Sequence, residues 1–392
     1  MKKLGGFLLL LAMTSAQAQP VGDTDWRVIE KLNDRGTYRF IGNEVQRVLN
    51  EDTPHTKDVV LVVQENGVNR LCVTLDKEVL AQYAEGKLSL DGVYAAMGLS
   101  NDTEAAQEAL KVLKPKTNRD AWKPELVLYP QLKLKNSGFH TLYTYAINIA
   151  PAIEMNLWKG ARFTGQVIVP IATNLHGTYK QVRPGVMSIE QRFAWGKHWH
   201  GSVAAGNFTH ERMGAQAELW WRSASGRWEY GAEIGSTVES VVTQNEGWRI
   251  SNMQRVNGLA HVIHYQPEFN LWMKVSAGRF VYGDWGARAD IVRAFGEHTI
   301  GLYGVYSEGE GNLGFTFSVP LPTKRFMKNR GARVRAAEYF DMEYSMRSWG
   351  KFEDERLGRG YRTQPGKTWT KECWQPDYIR YFLRKELERK KR

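Results

Sequence analysis

Between residues 125 and 320, apolar and polar residues alternate one for one in segments about ten residues long. In Arg212–Arg222, Met213, Ala215, Ala217, Leu219 and Trp221 fall on one face, and Arg212, Gly214, Gln216, Glu218 and Arg222 on the other. Residues 227–238 divide the same way, with Trp228, Tyr230, Ala232, Ile234 and Val238 opposing Arg227, Glu229, Gly231, Glu233 and Gly235. Residues 312–319 set Leu313, Phe315, Phe317 and Val319 against Asn312, Gly314, Thr316 and Ser318. A period of two gathers the apolar side chains of a strand on one side of a sheet. The pattern predicts strands at 125–135, 140–150, 161–171, 184–194, 199–209 and 212–222. Further strands follow at 227–238, 256–265, 269–280, 285–295, 298–307 and 312–320. A thirteenth is expected over 334–347, where Ala336, Glu338, Phe340 and Met342 alternate less cleanly. Connections switch between tight (210–211, 223–226, 296–297) and longer (172–183, 239–255).

The chain before this region reads differently. Residues 59–63 and 68–75 are apolar runs flanking Asn66-Gly67, the strongest short hairpin signal. Residues 76–85 and 103–113 have helical composition, the second capped by Asn101-Asp102-Thr103. Residues 19–121 are therefore expected to form a small α+β domain, long enough to bury its own core. Residues 114–124, polar with Pro115 and Pro124, are the expected linker. Residues 1–18 have the layout of a secretory signal peptide: Lys2 and Lys3, an apolar core from Gly5 to Met13, and Ala16-Gln17-Ala18 as cleavage site. That core is about half of the roughly 20 residues a membrane-spanning helix needs. No cysteine follows the cleavage site, which argues against a lipid anchor.

Composition sharpens the fold class. Nowhere after Met13 do about 18 apolar residues run without charge, so transmembrane helices are not expected. Mean hydropathy is −0.47, yet aromatics make up 12% of the chain. Nine of the 14 tryptophans lie between Trp158 and Trp285, while residues 1–121 hold only Trp26. A membrane β-barrel combines these properties, because its lipid face is apolar only at alternate residues and is edged by aromatic girdles. The expected fold is all-β: an antiparallel transmembrane β-barrel of about 12–14 strands over 122–347. The small N-terminal α+β domain would be periplasmic, and a basic extension covers 348–392. A soluble β-sandwich also alternates and is the competing fold.

The candidate binding residues are the polar ones of the expected lumen: Gln216, Glu218, Arg222, Arg227, Glu229, Glu233, Arg288 and Asp290. Mixed charges in a low-dielectric lumen pair to hold a barrel rigid, or line a path for a polar solute. No catalytic constellation, metal site or cofactor is expected. His198 and His200 lack further ligands nearby, and His261 and His264 face opposite sides of a strand. Neither a G-x-S-x-G elbow nor a P-loop is present, and the Glu308–Gly311 run reads as a turn ahead of a strand. Cys72 and Cys373 lie far apart and are expected to be unpaired thiols rather than a disulfide. Residues 381–392 carry six Lys/Arg against two Glu and read as a solvated, frayed tail, with contact to anionic lipid or polysaccharide as the alternative.

The hairpin Val60-Leu61-Val62-Val63…Asn66-Gly67-Val68…Leu71…Val73-Thr74-Leu75 is followed by Leu126-Val127-Leu128-Tyr129-Pro130-Gln131-Leu132. That order resembles the YjbH-like exopolysaccharide-associated outer-membrane proteins. Residues 207–219 around Glu211-Arg212-Met213-Gly214, Gly283-Asp284-Trp285-Gly286-Ala287, and 308–320 ending Ser318-Val319-Pro320 are similar to motifs of the same family. The resemblance implies a non-enzymatic role in secreting or assembling an exopolysaccharide or capsule in the Gram-negative outer membrane. The implied partners are outer-membrane lipid, polysaccharide and periplasmic polysaccharide-export proteins, and no nucleic acid. A general diffusion porin is the alternative function, and an outer-membrane enzyme acting on lipid or glycan a more distant one.

Overall fold

The computed structural model describes residues 24–31, 37–52, 54–113, 121–136, 143–208, 211–243, 247–321, 333–347, 350–352, 356–366 and 374–390. The expected signal peptide, most of the expected linker, His210 and Cys373 lie outside the described residues.

The first sheet is four-stranded, in the order β1 (Thr24–Glu30), β2 (Asp58–Glu65), β3 (Val68–Leu75) and β4 (Gly98–Ser100). Strands β1 and β2 are parallel, and α1 (Thr37–Leu49) makes the crossover between them. Asn66 and Gly67 close the β2–β3 hairpin with φ of 50° and 72°, left-handed values that Asn and Gly tolerate. Helix α2 (Lys77–Ala84), α3 (Leu90–Ala96) and α4 (Glu104–Leu113) follow. Strand β2 is buried on both faces because the sheet has a layer on each side. Val59, Leu61 and Val63 join the cluster built with α1, where Tyr38, Ile41, Val45 and Val48 recur at helical spacing. Val60, Val62 and Cys72 pack instead on Ala106 of α4.

The second sheet holds fifteen strands. They are β5 (Glu125–Asn136), β6 (Tyr143–Asn156), β7 (Ala161–Thr173), β8 (Arg183–Trp195) and β9 (Trp199–Phe208). Then come β10 (Arg212–Arg222), β11 (Trp228–Thr243), the short β12 (Gly247–Ile250), β13 (Arg255–Gln266) and β14 (Leu271–Arg279). The last are β15 (Trp285–Phe295), β16 (His298–Ser307), β17 (Glu310–Pro320), β18 (Arg333–Ala336) and β19 (Tyr339–Ser345). From β5 to β17 each long strand pairs antiparallel with its neighbour in sequence, and β12 pairs only with β11. The alternation therefore locates every one of the twelve long strands. The expected thirteenth is split at Ala337-Glu338: β18 pairs in parallel with β5, and β19 pairs antiparallel with β17. One short segment thus touches both edges of the sheet.

The two faces of this sheet are inverted relative to a soluble protein. Ile234 and Leu302 are each 65% exposed, and Ile189, Val203, Leu219, Val275 and Leu313 lie on the same outer face. Gln216, Glu229, His261 and Thr316 are buried on the other. Among the described residues no helix is long and apolar enough to cross a membrane.

The chain end corrects the expectation of a frayed tail. Helix α5 (Pro376–Lys390) packs on α1 and α3, burying Tyr378, Ile379, Phe382 and Leu383 in the same apolar cluster as Ile41 and Leu61. Ile263, Tyr265, Trp272 and Ala294, from the near ends of β13–β15, complete that cluster. The sequence hid the helix because its exposed face carries the charges that dominate its composition. Ile379 is fully buried, so Ile379→Ala should cost about 2–5 kcal/mol. Arg384→Ala on the exposed face, which breaks a surface pair with Asp91, should cost less than about 1 kcal/mol. Urea unfolding followed by the protection of the N-terminal sheet from protease checks both.

Candidate functional site

The polar face of the large sheet surrounds a segment of its own chain. Strand β19 ends at the rim remote from the N-terminal sheet, where the Asn312 side chain donates to Ser345 Oγ at 2.7 Å and to the Arg347 carbonyl at 2.8 Å. The chain then turns inward, and Phe352 packs on Tyr303 and Val305. The Gly358 amide donates to Asp284 at 2.8 Å, and the Val281 amide to the Arg359 carbonyl at 3.0 Å. Tyr361 donates to Asn257 on β13 and meets the Phe208 ring edge-on, with centroids 5.2 Å apart. Gly235 makes the room, since a Cβ there would lie 2.2 Å from the Tyr361 hydroxyl. Ser188 on β8 donates to the Thr363 carbonyl at 2.9 Å, and Gln364 to Glu190 at 3.1 Å. The next described residue, Trp374, is buried at the opposite rim beside the N-terminal domain, where Asn101 donates to its carbonyl at 3.0 Å. Residues 350–352 and 356–366 therefore lie along the polar face as a strap, touching strands from β8 to β19.

The strap leaves two interior cavities. One, of about 280 Å³, lies against β13–β15 and is lined by Glu233, His261, Lys274, Arg288, Asp290 and Arg362. The other, of about 500 Å³, opens on the far side between β5–β8 and the strap. Among the sequence-predicted residues, Gln216, Glu218, Arg222, Glu229, Glu233, Arg288 and Asp290 all lie on the polar face. Arg222 and Glu229 are opposite each other in register and ion-paired at 2.6 Å, with His261 3.4 Å from the same carboxylate. Glu218 faces Glu233 across the same ladder. Arg288 pairs with Asp290 at 2.8 Å, lies 3.6 Å from Glu343, and stacks over the Tyr303 ring. Gln216 is buried without a partner for its Oε1. Arg227 corrects its expected place: it precedes β11 on an exposed turn and reaches Asp377 of α5 at 2.7 Å. Among the described residues, no group of three or more His, Cys, Asp or Glu is arranged to hold a metal.

Two further charge clusters escaped the sequence reading. At the seam, Glu125 accepts from Arg333 at 3.1 Å and Arg335 at 3.0 Å, while Glu154 binds Arg335, Arg162 and Tyr129. At the near rim, Glu65 of the N-terminal hairpin binds Arg70 at 2.7 Å and Arg192 of β8 at 3.4 Å. Arg192 passes the link to Glu190 at 3.0 Å, and Glu190 to the strap. The parity of Ser188, Glu190 and Arg192 within 184–194 was the available signal for the inward face of β8. The strap has no periodicity to read.

The family model described as exopolysaccharide biosynthesis protein YbjH matches residues 29–321, well over half of the chain. This chain belongs to the YjbH family. No curated protein and no solved structure matches it. The family match covers the end of β1, strands β2–β4 and the twelve long strands, and it ends before β18.

The rim cluster has a pH consequence. Burial by itself would raise the Glu65 carboxyl, but Arg70, then Arg192, Lys31 and Arg162, overcome it and hold it down at about 2. The folded value is below the ordinary unfolded value of about 4.3. Glu65 therefore stabilises the rim above that ordinary value, and the contribution is lost as pH falls from about 4.3 towards 2. Thermal unfolding measured across this window should show the loss, and Glu65→Gln should flatten the dependence while lowering stability at neutral pH. Cys72 adds no titration in the physiological range, because burial pushes its thiol up to about 12.

Proposed function

We propose that the large sheet closes into an outer-membrane β-barrel and serves secretion or assembly of an exopolysaccharide or capsule, without catalysing a reaction. The observation that carries this reading is the inversion of the sheet, with aliphatic side chains outside and ionised ones inside. Water would leave that outer face unfavourably wet, whereas a bilayer would bury it. Aromatic residues lie on the outer face towards both rims, Trp195, Trp199 and Trp228 near the N-terminal domain and Tyr143, Trp285 and Tyr306 at the far end. Twelve up-and-down strands plus one make an odd number, so a closed sheet needs one parallel seam. The parallel pairing of β18 with β5 supplies it.

In this reading the N-terminal domain faces the periplasm, at the rim of short turns, where periplasmic export proteins would dock. The strap favours a platform for a glycan over a general diffusion porin, because residues 350–352 and 356–366 occupy space that a porin keeps open. The interior carboxylates Glu229 and Asp290 are engaged by arginines, an arrangement that suits rigidity rather than proton transfer.

Deleting the gene should reduce surface polysaccharide while leaving cytoplasmic sugar precursors intact. Alanine at Glu218, Glu229, Glu233, Arg288 or Asp290 alone should only weaken that effect. An enzyme would concentrate a loss of about 10²–10⁴-fold on one general acid or base, and such a result at any of them would overturn the non-catalytic reading.

The protein should also fractionate with the outer membrane and migrate faster on a semi-native gel until boiled. Ile234→Arg on the outer face should cost about 2–4 kcal/mol near mid-bilayer, against a mild effect of Glu233→Gln on the inner face. Equal tolerance of the two changes, or recovery in the soluble periplasm, would remove the barrel.

A further inference from the structure

The larger interior cavity carries chemistry that the fold itself leaves unused. Gln166 on β7 is 1% exposed; its Oε1 accepts from the Val186 amide at 3.3 Å, and its Nε2 has no partner. Asn148 on the neighbouring strand β6 is 6% exposed, and its Oδ1 has no partner either. Both line the cavity. A buried polar atom left unsatisfied is costly, so a donor and an acceptor left open in one cavity fit a ligand rich in hydroxyl groups.

The charge around these two amides is lopsided. Five Lys or Arg side chains line the cavity against three carboxylates. Arg183 is held by the carbonyls of Thr178 at 3.2 Å and Gln181 at 3.4 Å, and it forms no ion pair with any described carboxylate. Its guanidinium stands 5.3 Å from the centre of the Tyr179 ring, and Lys133 donates to the Tyr179 hydroxyl at 2.7 Å. A cation held by neutral carbonyls keeps its charge available to an incoming anion. Tyr179 sits on the short helical turn Gly177–Lys180, within the connection from β7 to β8 at the far rim. An aromatic ring bordered by cations, above a floor of amides, matches a sugar that carries a carboxylate.

We propose that this cavity binds a carboxylated saccharide, the uronate-type unit of an acidic exopolysaccharide. Lys133 and Arg183 take the carboxylate, Asn148 and Gln166 the hydroxyls, and Tyr179 a sugar face. The proposal rests on the exopolysaccharide reading and adds the class of glycan to it.

The test uses the purified full-length protein in detergent, titrated calorimetrically with an oligogalacturonate and with a malto-oligosaccharide of equal length. The oligogalacturonate should bind at least about tenfold more tightly, since one charge-assisted contact is worth about that factor. The preference should fall as salt is raised. Lys133→Gln with Arg183→Gln should abolish it, and Arg183→Lys should retain it. Gln166→Leu should weaken binding of the oligogalacturonate without removing its salt dependence. Heat-modifiable migration identifies variants that remain folded, and only these are compared. Equal binding of the two probes, or a preference unchanged in the folded double variant, overturns the site. If the wild-type protein shows no preference while gene deletion still lowers surface polysaccharide, the site alone fails. If deletion leaves polysaccharide untouched, the wider reading fails whatever the titration shows.

Discussion

The structure depends on answering the charges that a two-residue period sends inward. The long strands place polar or ionised side chains at many positions of the buried face, and an ion left alone there costs several kcal/mol. The fold answers them locally where strands are in register, as between Arg222 and Glu229, and within one strand, as between Arg288 and Asp290. Residues 356–366 add further partners to those the strands supply. Gln364 reaches Glu190, Arg359 reaches Glu343, and Tyr361 reaches Asn257. A polar face of this kind needs partners from water, a ligand or the chain itself, and along part of it the chain supplies them.

The same argument accounts for how the N-terminal domain is attached. Its rim contacts mix backbone hydrogen bonds, such as Gly160 to Asn66 at 2.9 Å, with the Arg70–Glu65–Arg192–Glu190 series. That series ends on the strap, so three ion pairs and one amide connect the rim to the polar face. Beside it the apolar cluster under α5 draws on the N-terminal sheet, the C-terminal helix and the near ends of β13–β15 together. The domain is held by a shared core as much as by its surface.

Strand positions, faces and the hairpin at Asn66-Gly67 were legible in the sequence because each follows from a local period or a local backbone requirement. So was the inward set from Gln216 to Asp290, with the exception of Arg227, which a uniform parity count carried one residue past the strand's start. Helix α1 was missed although its apolar spacing was present, because Gly42 and the polar residues between the buried positions dilute it. The seam was partly hidden by the break at Ala337-Glu338, which lets one segment serve two different edges. The strap and the cavity beside it were not legible at all. Gln166, Arg183 and Tyr179 come from β7, β8 and the turn between them, and the register of the β7–β8 pair brings them to one place.

The position of α5 also orders events in time. Synthesis proceeds from the N-terminus, yet the N-terminal sheet lacks Tyr378, Ile379, Phe382 and Leu383 in its core until α5 is made. Those residues reach it only by way of the strap, which has no walls to run between until the long strands are paired. The first domain to emerge is thus the last to be completed, through contacts separated by more than three hundred residues. Until then its half-built apolar face is open, and a chaperone that binds apolar surface could tell an unfinished molecule from a finished one by that face alone.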